Sequence, residues 1–285
     1  MRAMEASAHR GWTLQESGPL AAEHTLLLLP GGFCTAAFYD DLVAQPKLRA
    51  LPLRLIATTP PGFGRNPPPA DLSVEGYAEL AGDVAADLGC DVVVGHSYGA
   101  NVAIEMAVAG RFSGTLVLLS PAFSTDDESP GTRMFDRFGR LPGLGRLTWA
   151  LVFRMFSRLM RGRLPADRHD ELVAEIMSSD ARIWRAIIRR YLEYLERNGS
   201  LVGRLCASGA PTWVVRGDHD EIGMTDEERN ALVACPTVTM VTVPEAGHLL
   251  LTEQPGRIAG LIVEVLYGVK SQAVTSGGQP PPLEG

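Results

Sequence analysis

Within this 285-residue chain, the pentapeptide Gly95-His96-Ser97-Tyr98-Gly99 sets a serine hydroxyl between two glycines. Val92-Val93-Val94 before it reads as a short strand buried on both faces of a parallel sheet, and Ala100–Ala109 after it reads as a helix rich in small residues. Strand, sharp turn and helix form the context in which a Gly-x-Ser-x-Gly motif carries a nucleophile. The turn forces its central residue into strained backbone geometry, while the flanking glycines let neighbouring chain approach closely. The hydroxyl of Ser97 is then presented at the carboxyl end of a strand. Behind it the N-terminus of a helix favours developing negative charge.

A serine hydroxyl is a poor nucleophile at neutral pH and needs an adjacent base, which in turn needs a carboxylate to fix its tautomer. Six histidines are available, and His248 lies just past the last strand-like run, Thr237–Val243. His96 touches Ser97 in sequence, but neighbours in a tight turn point apart, so packing or a supporting role is expected there. His219 lies close to several acids and is the leading decoy.

On these residues the chain resembles the α/β-hydrolase superfamily, in the serine-nucleophile, esterase-like branch that carries a helical cap, with Ser97 at the nucleophile. Gly247-His248-Leu249-Leu250-Leu251-Thr252-Glu253-Gln254-Pro255 resembles the family's Gly-His-x-x-x-x-Glu-x-Pro ending, which implies His248 as the base. Gly217-Asp218-His219-Asp220 matches its Gly-x-x-Asp and implies Asp220 as the acid; Asp126 and Asp127, after an earlier strand, are a second source. The order Ser97, Asp220, His248 is that of the α/β-hydrolases. Pro30-Gly31-Gly32-Phe33 stands where the family usually reads His-Gly-x. The resemblance therefore implies an oxyanion hole made of the Tyr98 N–H and that of Gly32, or of Phe33 if the register moves by one. Thr59-Pro60-Pro61-Gly62-Phe63-Gly64-Arg65-Asn66 resembles a further family turn that shapes the fold more than the chemistry.

The elements that must position these groups alternate. Trp12–Glu16, Thr25–Leu29, Leu53–Thr58, Val92–Val94 and Thr115–Leu119 read as strands, with a helix over Val74–Leu88 capped by Ser73. This order implies a mostly parallel, doubly wound sheet of the α/β-hydrolase fold. Residues 12–122 form the first part of a core domain and residues 209–270 the second, with strands at Pro211–Arg216 and Thr237–Val243 and a closing helix at Thr252–Tyr267. Residues 123–208 contain no strand-like run but helical stretches at Arg146–Arg161, Asp170–Met177 and Ala181–Arg197. That span carries 15 Arg, no Lys and 11 acids, a net of +4 against -11 for the rest, which supports an inserted helical cap. Gly145–Leu164 also reads as a basic amphipathic helix suited to a membrane surface. Trp149, Phe153, Phe156, Met160 and Trp184 make an apolar cap. Residues 1–11 and the Gly/Pro/Ser-rich 271–285 are expected to be loosely attached or disordered.

A net charge of -7 argues against a nucleic-acid binder. The N-terminal residues lack an apolar leader core, and no run is long enough to span a bilayer. Cys34, Cys90, Cys206 and Cys235 are widely spaced, so four reduced thiols in a cytoplasmic protein are expected rather than metal ligands or disulfides. No Walker, HExxH or Gly-x-Gly-x-x-Gly sequence calls for a metal or other cofactor. The expected activity is hydrolysis of a carboxylic ester of a small, largely apolar molecule through an acyl-Ser97 intermediate. A thioester, lactone, amide or C–C bond would use the same triad, and a slow-turnover ligand receptor is the alternative of another class. Dehalogenase and epoxide-hydrolase chemistry is disfavoured, because the enzymes resembled there carry Asp in place of Ser97.

Overall fold

The computed structural model describes residues 5–128, 132–133, 155, 158 and 160–268. Its centre is an eight-stranded sheet in the order β1-β2-β4-β3-β5-β6-β7-β8. The strands are β1 (Glu5–His9), β2 (Trp12–Ser17), β3 (His24–Leu29), β4 (Leu53–Thr59), β5 (Val92–His96), β6 (Thr115–Leu119), β7 (Thr212–Gly217) and β8 (Val238–Val243). Only β1–β2 and β2–β4 pair antiparallel; every other pairing is parallel. The central strands are mainly apolar, and Leu26–Leu28, Val93–Val94 and Leu116–Leu119 are wholly buried, as a sheet covered on both faces requires.

The helices are α1 (Asp40–Val43), α2 (Pro46–Arg49), α3 (Val74–Asp87), α4 (Tyr98–Val108), α5 (His169–Met177), α6 (Ala181–Asn198), α7 (Val202–Ser208), α8 (Asp226–Ala234), α9 (Leu250–Glu253) and α10 (Pro255–Tyr267). One apolar cluster joins α3, α4, α6 and α7 to one face of the sheet, and a second joins α1, α9 and α10 to the other. The Ser73 hydroxyl accepts from the Gly76 N–H and starts α3 as its position implied.

Strand order fixes where chemistry can occur. From β3 the chain goes to β4 on one side and then to β5 on the other, so the connections diverge between β3 and β5. In open parallel sheets a crevice forms at such a point, beyond the carboxyl ends of the strands. The segments leaving that edge are Pro30–Phe33 from β3 and Ser97 from β5.

Three expectations are corrected and one helix is added. Residues 5–9 are not loose but pair with β2 along their full length, because Arg10 and Gly11, both at positive φ, close a hairpin. The closing helix is two helices, since Pro255 cannot donate its missing N–H and starts α10 afresh. Helix α8 is additional to the elements read from sequence, and Thr225 and Glu228 form a reciprocal capping box at its start. Cys206 and Cys235 are joined in a disulfide across 29 residues, while Cys34 and Cys90 are free. Spacing concealed the pair, because α7 and the end of α8 become neighbours only on folding.

Of the inserted span, α5, α6 and α7 are described and lie between β6 and β7. The expected helix over Arg146–Arg161 and the tail 271–285 fall almost wholly outside the described residues. Among the described residues no helix is long and apolar enough to cross a membrane.

Candidate active site

Ser97 is the last residue before α4 and has φ 51 and ψ -118, a conformation that costs a non-glycine residue on the order of 1–3 kcal/mol. Close packing holds it there. A Cβ on Gly99 would overlap the carbonyl oxygens of Leu29 and Pro30, and one on Gly95 would meet the Gly99 carbonyl at 2.5 Å. These glycines are therefore what lets the first turn of α4 press against β5 and against the loop leaving β3. The Ser97 N–H donates to the Leu119 carbonyl at 2.8 Å, which ties the turn to β6.

The loops after β7 and β8 bring the other two residues to it. His248 Nε2 is 3.0 Å from Ser97 Oγ, and His248 Nδ1 is 3.0 Å from Asp220 Oδ1. The Asp220 side chain is 1% exposed and that of His248 19%, so the acid is sealed and the imidazole reaches solvent on one side. Burial pushes the Asp220 carboxyl up. The hydrogen bond and charge of His248 outweigh it, helped by the Ser120 hydroxyl and the Ile222 N–H, and bring the group down to about 2. The carboxylate is thus ionised at neutral pH and accepts from the ring N–H.

His96 lies under the base. Its Nε2 donates to the His248 backbone carbonyl at 2.8 Å, and burial, reinforced by the nearby His248 ring, pushes its pKa down to about 3. A neutral ring at this position positions the His248 loop, the supporting role expected of it. His219 is displaced from the chemistry: its side chain is 74% exposed and sits 3.6 Å from Asp218. Asp218 accepts the Ala246 N–H and bridges the loops that follow β7 and β8.

Arg216 was missed by sequence reasoning, because a basic residue near a strand end carries no motif. It is buried on β7, and its guanidinium donates to the carbonyls of Ile222 and Gly223 while standing 4.0 Å from Asp220 Oδ2. It closes the loop that carries the acid.

Neither alternative acid meets His248. Asp126 is exposed and pairs with Arg133. Asp127 is buried, accepting the Phe123 and Ser124 N–H groups. Burial pushes its carboxyl well up, against the effect of the Phe123 N–H and with the charge and hydrogen bond of Glu228 adding to the rise. A carboxyl that stays protonated in the folded chain while the unfolded one ionises at about 3.9 binds more protons when folded, so stability falls as pH rises above about 4 and through the raised folded value. Asp127→Asn removes that loss. Its melting temperature relative to the parent should rise by a few degrees between pH 5 and pH 8, and calorimetry at the two pH values checks it. An offset equal at both would contradict the assignment.

The backbone donors lie across from Ser97. Gly31 to Cys34 form a tight turn closed by the Cys34 N–H to the Gly31 carbonyl at 3.0 Å, with Phe33 at φ 65. A Cβ on Gly31 would stand 3.5 Å from the Ser97 Cβ, and one on Gly32 3.8 Å from the Tyr98 Cβ, so this turn borders the serine. The N–H groups of Gly32 and Phe33 donate to no other described residue. The Tyr98 N–H, in the first turn of α4, has no intrahelical acceptor.

A cavity of about 260 Å³ opens beside His248, lined among others by Met160, His219, Leu249 and Glu253, with Arg163 and Glu221 paired at its rim. A larger one of about 820 Å³ lies by the disulfide and touches none of Ser97, Asp220 and His248. Among the described residues no group of acidic, histidine or cysteine side chains has the makings of a metal site.

Comparison with known proteins agrees with the architecture. A family model described as alpha/beta hydrolase family matches residues 26–261. A thermophilic esterase from Thermogutta terrifontis superposes with a TM-score of 0.70 at 22% identity, over 93% of this chain and 97% of that one. The thioesterase domain from the curacin biosynthetic pathway does so at 0.67 and 20%, over 92% of this chain and 100% of that one. An N-acyl homoserine lactonase complexed with N-hexanoyl homoserine lactone gives 0.68 and 18%, over 92% and 97%. No curated protein matches the chain in sequence.

Proposed function

The chain belongs to the α/β-hydrolase family and is a hydrolase, and we propose that it cleaves a carboxylic ester of a small, largely apolar substrate through an acyl-Ser97 intermediate. The observation that carries this reading is the unbroken relay from Asp220 Oδ1 through His248 to Ser97 Oγ, with 3.0 Å at each step.

His248 Nε2 takes the hydroxyl proton as Ser97 Oγ bonds to the ester carbonyl carbon. Asp220 stabilises the resulting imidazolium and holds the tautomer whose Nδ1–H it accepts. The carbonyl oxygen becomes an oxyanion and accepts from the Tyr98 N–H and from that of Gly32 or Phe33, both of which donate to no other described residue. Each such donor is worth on the order of 3 kcal/mol of barrier. His248 then passes the proton to the departing alkoxide, and the alcohol leaves. In the second half His248 takes a proton from water, hydroxide adds to the acyl carbon, and Ser97 leaves with the proton returned. Every charge that develops has its partner already in position, so little reorganisation accompanies the reaction.

The span 123–208 is proposed to roof this site. Support comes from α5 and the link to α6, which contact the segments after β3 and β4 through Thr35–Glu175, Gly64–Ser179 and Arg168 with Asp40 and Asp41, and from Trp184 of α6, whose ring stacks on Phe33. The apolar faces of its described helices, with Leu172 and Ile176 on α5 and Ile187 and Leu192 on α6, suit a neighbouring apolar acyl or alcohol portion.

Labelling with a serine-directed fluorophosphonate followed by turnover on a short-chain aryl ester tests the reading. Stoichiometric labelling of Ser97 with steady turnover is expected. Labelling with turnover no faster than hours would instead indicate a ligand receptor, and no labelling would refute the nucleophile.

A further inference from the structure

Phe33 occupies a backbone position that suits glycine. It is the third residue of the Gly31–Cys34 turn, at φ 65, and its side chain is buried. What keeps it there is an aromatic stack. Its ring lies 3.6 Å from that of Trp184 at 22° between planes, and 5.7 Å from that of Phe63 at 23°, so it is held between the two. Phe63 belongs to the loop after β4, whereas Trp184 stands on the first turn of α6 in the inserted helices.

We propose that Trp184 is a positioning residue that holds the oxyanion turn from the inserted helices, so that the backbone N–H beside Ser97 is aimed only while α6 is seated. The inference rests on the acyl-transfer reading of Ser97. Without a ring over it, Phe33 gains nothing from a positive φ that its Cβ opposes, and the turn relaxes towards conformations that carry the Gly32 and Phe33 N–H groups away. A substrate-lining role for Trp184 fits less well. Phe33 is 8% exposed and Trp184 3%, so the ring faces are spent on each other rather than offered to a ligand.

Independent contacts fasten α5 and the link between α5 and α6 to the same stretch. Thr35 donates to Glu175 at 2.8 Å, and Arg168 donates to the Ala37 carbonyl at 3.1 Å and to Asp41 at 3.0 Å. The Ser179 hydroxyl accepts the Gly64 N–H at 2.7 Å, one residue past Phe63. These contacts lie just after Phe33 and Phe63 and just before Trp184 in sequence, so the segment that leads into α6 is tied to the same two loops that carry the stack.

The test is a double-mutant cycle read with p-nitrophenyl acetate, a substrate too small to need a roof. Trp184→Ala should lower kcat by on the order of 10- to 100-fold with KM changed by less than about threefold, since misaimed groups lose rate rather than ground-state affinity. Trp184→Phe should recover most of the loss. Glycine is at ease at φ 65, so in a Phe33→Gly background the factor lost on Trp184→Ala should shrink to about threefold or less. Equal factors in the two backgrounds, or a change confined to KM for long acyl chains, would overturn the proposal. Amide exchange supplies a readout that does not depend on turnover. In Trp184→Ala, or in Trp184→Leu if the alanine variant folds poorly, the Cys34 amide, which closes the turn on the Gly31 carbonyl, should exchange at least tenfold faster while the hydrogen-bonded amides of α4 stay unchanged. Unchanged exchange at Cys34 would overturn the inference even in a fully active protein. A parent protein that neither labels nor turns over ester would fail the acyl-transfer reading instead, and the exchange result would still decide the coupling.

Discussion

Ser97→Ala should lose ester turnover by on the order of a million-fold and should take up no fluorophosphonate, while melting at nearly the parent temperature. The size follows from covalent catalysis. Without Oγ no acyl-enzyme forms, and what survives is the acceleration that the oxyanion donors and binding give to attack by water. Stability is little affected because among the described residues Oγ is hydrogen-bonded only to His248, and alanine meets the same backbone strain at φ 51. Turnover within a hundredfold of the parent would move the nucleophile elsewhere. His248→Ala should lie near the same floor, whereas His219→Ala, which alters an exposed ring, should stay within a few-fold of the parent.

Asp220→Asn is expected to lower kcat by about 10,000-fold with KM nearly unchanged. The amide presents its NH2 or its oxygen to His248 Nδ1. In the first case it stabilises the tautomer with the proton on Nε2, which cannot accept from Ser97; in the second it cannot neutralise the imidazolium. The folded state keeps Asp220 ionised down to about 2, below the ordinary carboxylate value of 3.8. The unfolded chain therefore binds more protons between those two values, so the stability this group contributes is present above about pH 4 and is lost as pH falls towards 2. The Asn variant should lack that acid-sensitive component, and urea titrations at pH 3 and pH 6 would reveal it. An Asp220→Asn protein of parental kcat, with Asp127→Asn inactive, would shift the acid to the loop after β6.

Much of this was legible in the chain itself. Gly95-His96-Ser97-Tyr98-Gly99 between a valine run and an alanine-rich helix specifies a turn that only small neighbours permit, and the overlap a Cβ on Gly99 would make with Leu29 and Pro30 shows why. Asp220 and His248 were legible for a related reason. Each follows a strand closely, and in a parallel sheet every strand delivers its exit to the same edge. The alternation of apolar runs and amphipathic helices therefore implied both the doubly wound sheet and the edge on which its chemistry would gather.

Contacts between segments far apart in sequence were not legible, because they depend on which surfaces meet and not on local pattern. The Arg216 guanidinium over the acid loop, the neutral His96 beneath the His248 carbonyl and the Cys206–Cys235 disulfide belong to this class. Residues 5–9 escaped because a polar edge strand has little apolar pattern to betray it. The resemblance left Gly32 and Phe33 both open as oxyanion donors, because one position of register separates them. The sequence alone determined the sheet, the edge at which the chemistry is assembled and the identities of Ser97, Asp220 and His248 as candidates, since these rest on periodicity and on motifs next to strand ends. Tertiary structure alone decided that Phe33 sits at positive φ between Phe63 and Trp184, since a strained turn persists only where packing from distant residues outweighs its cost.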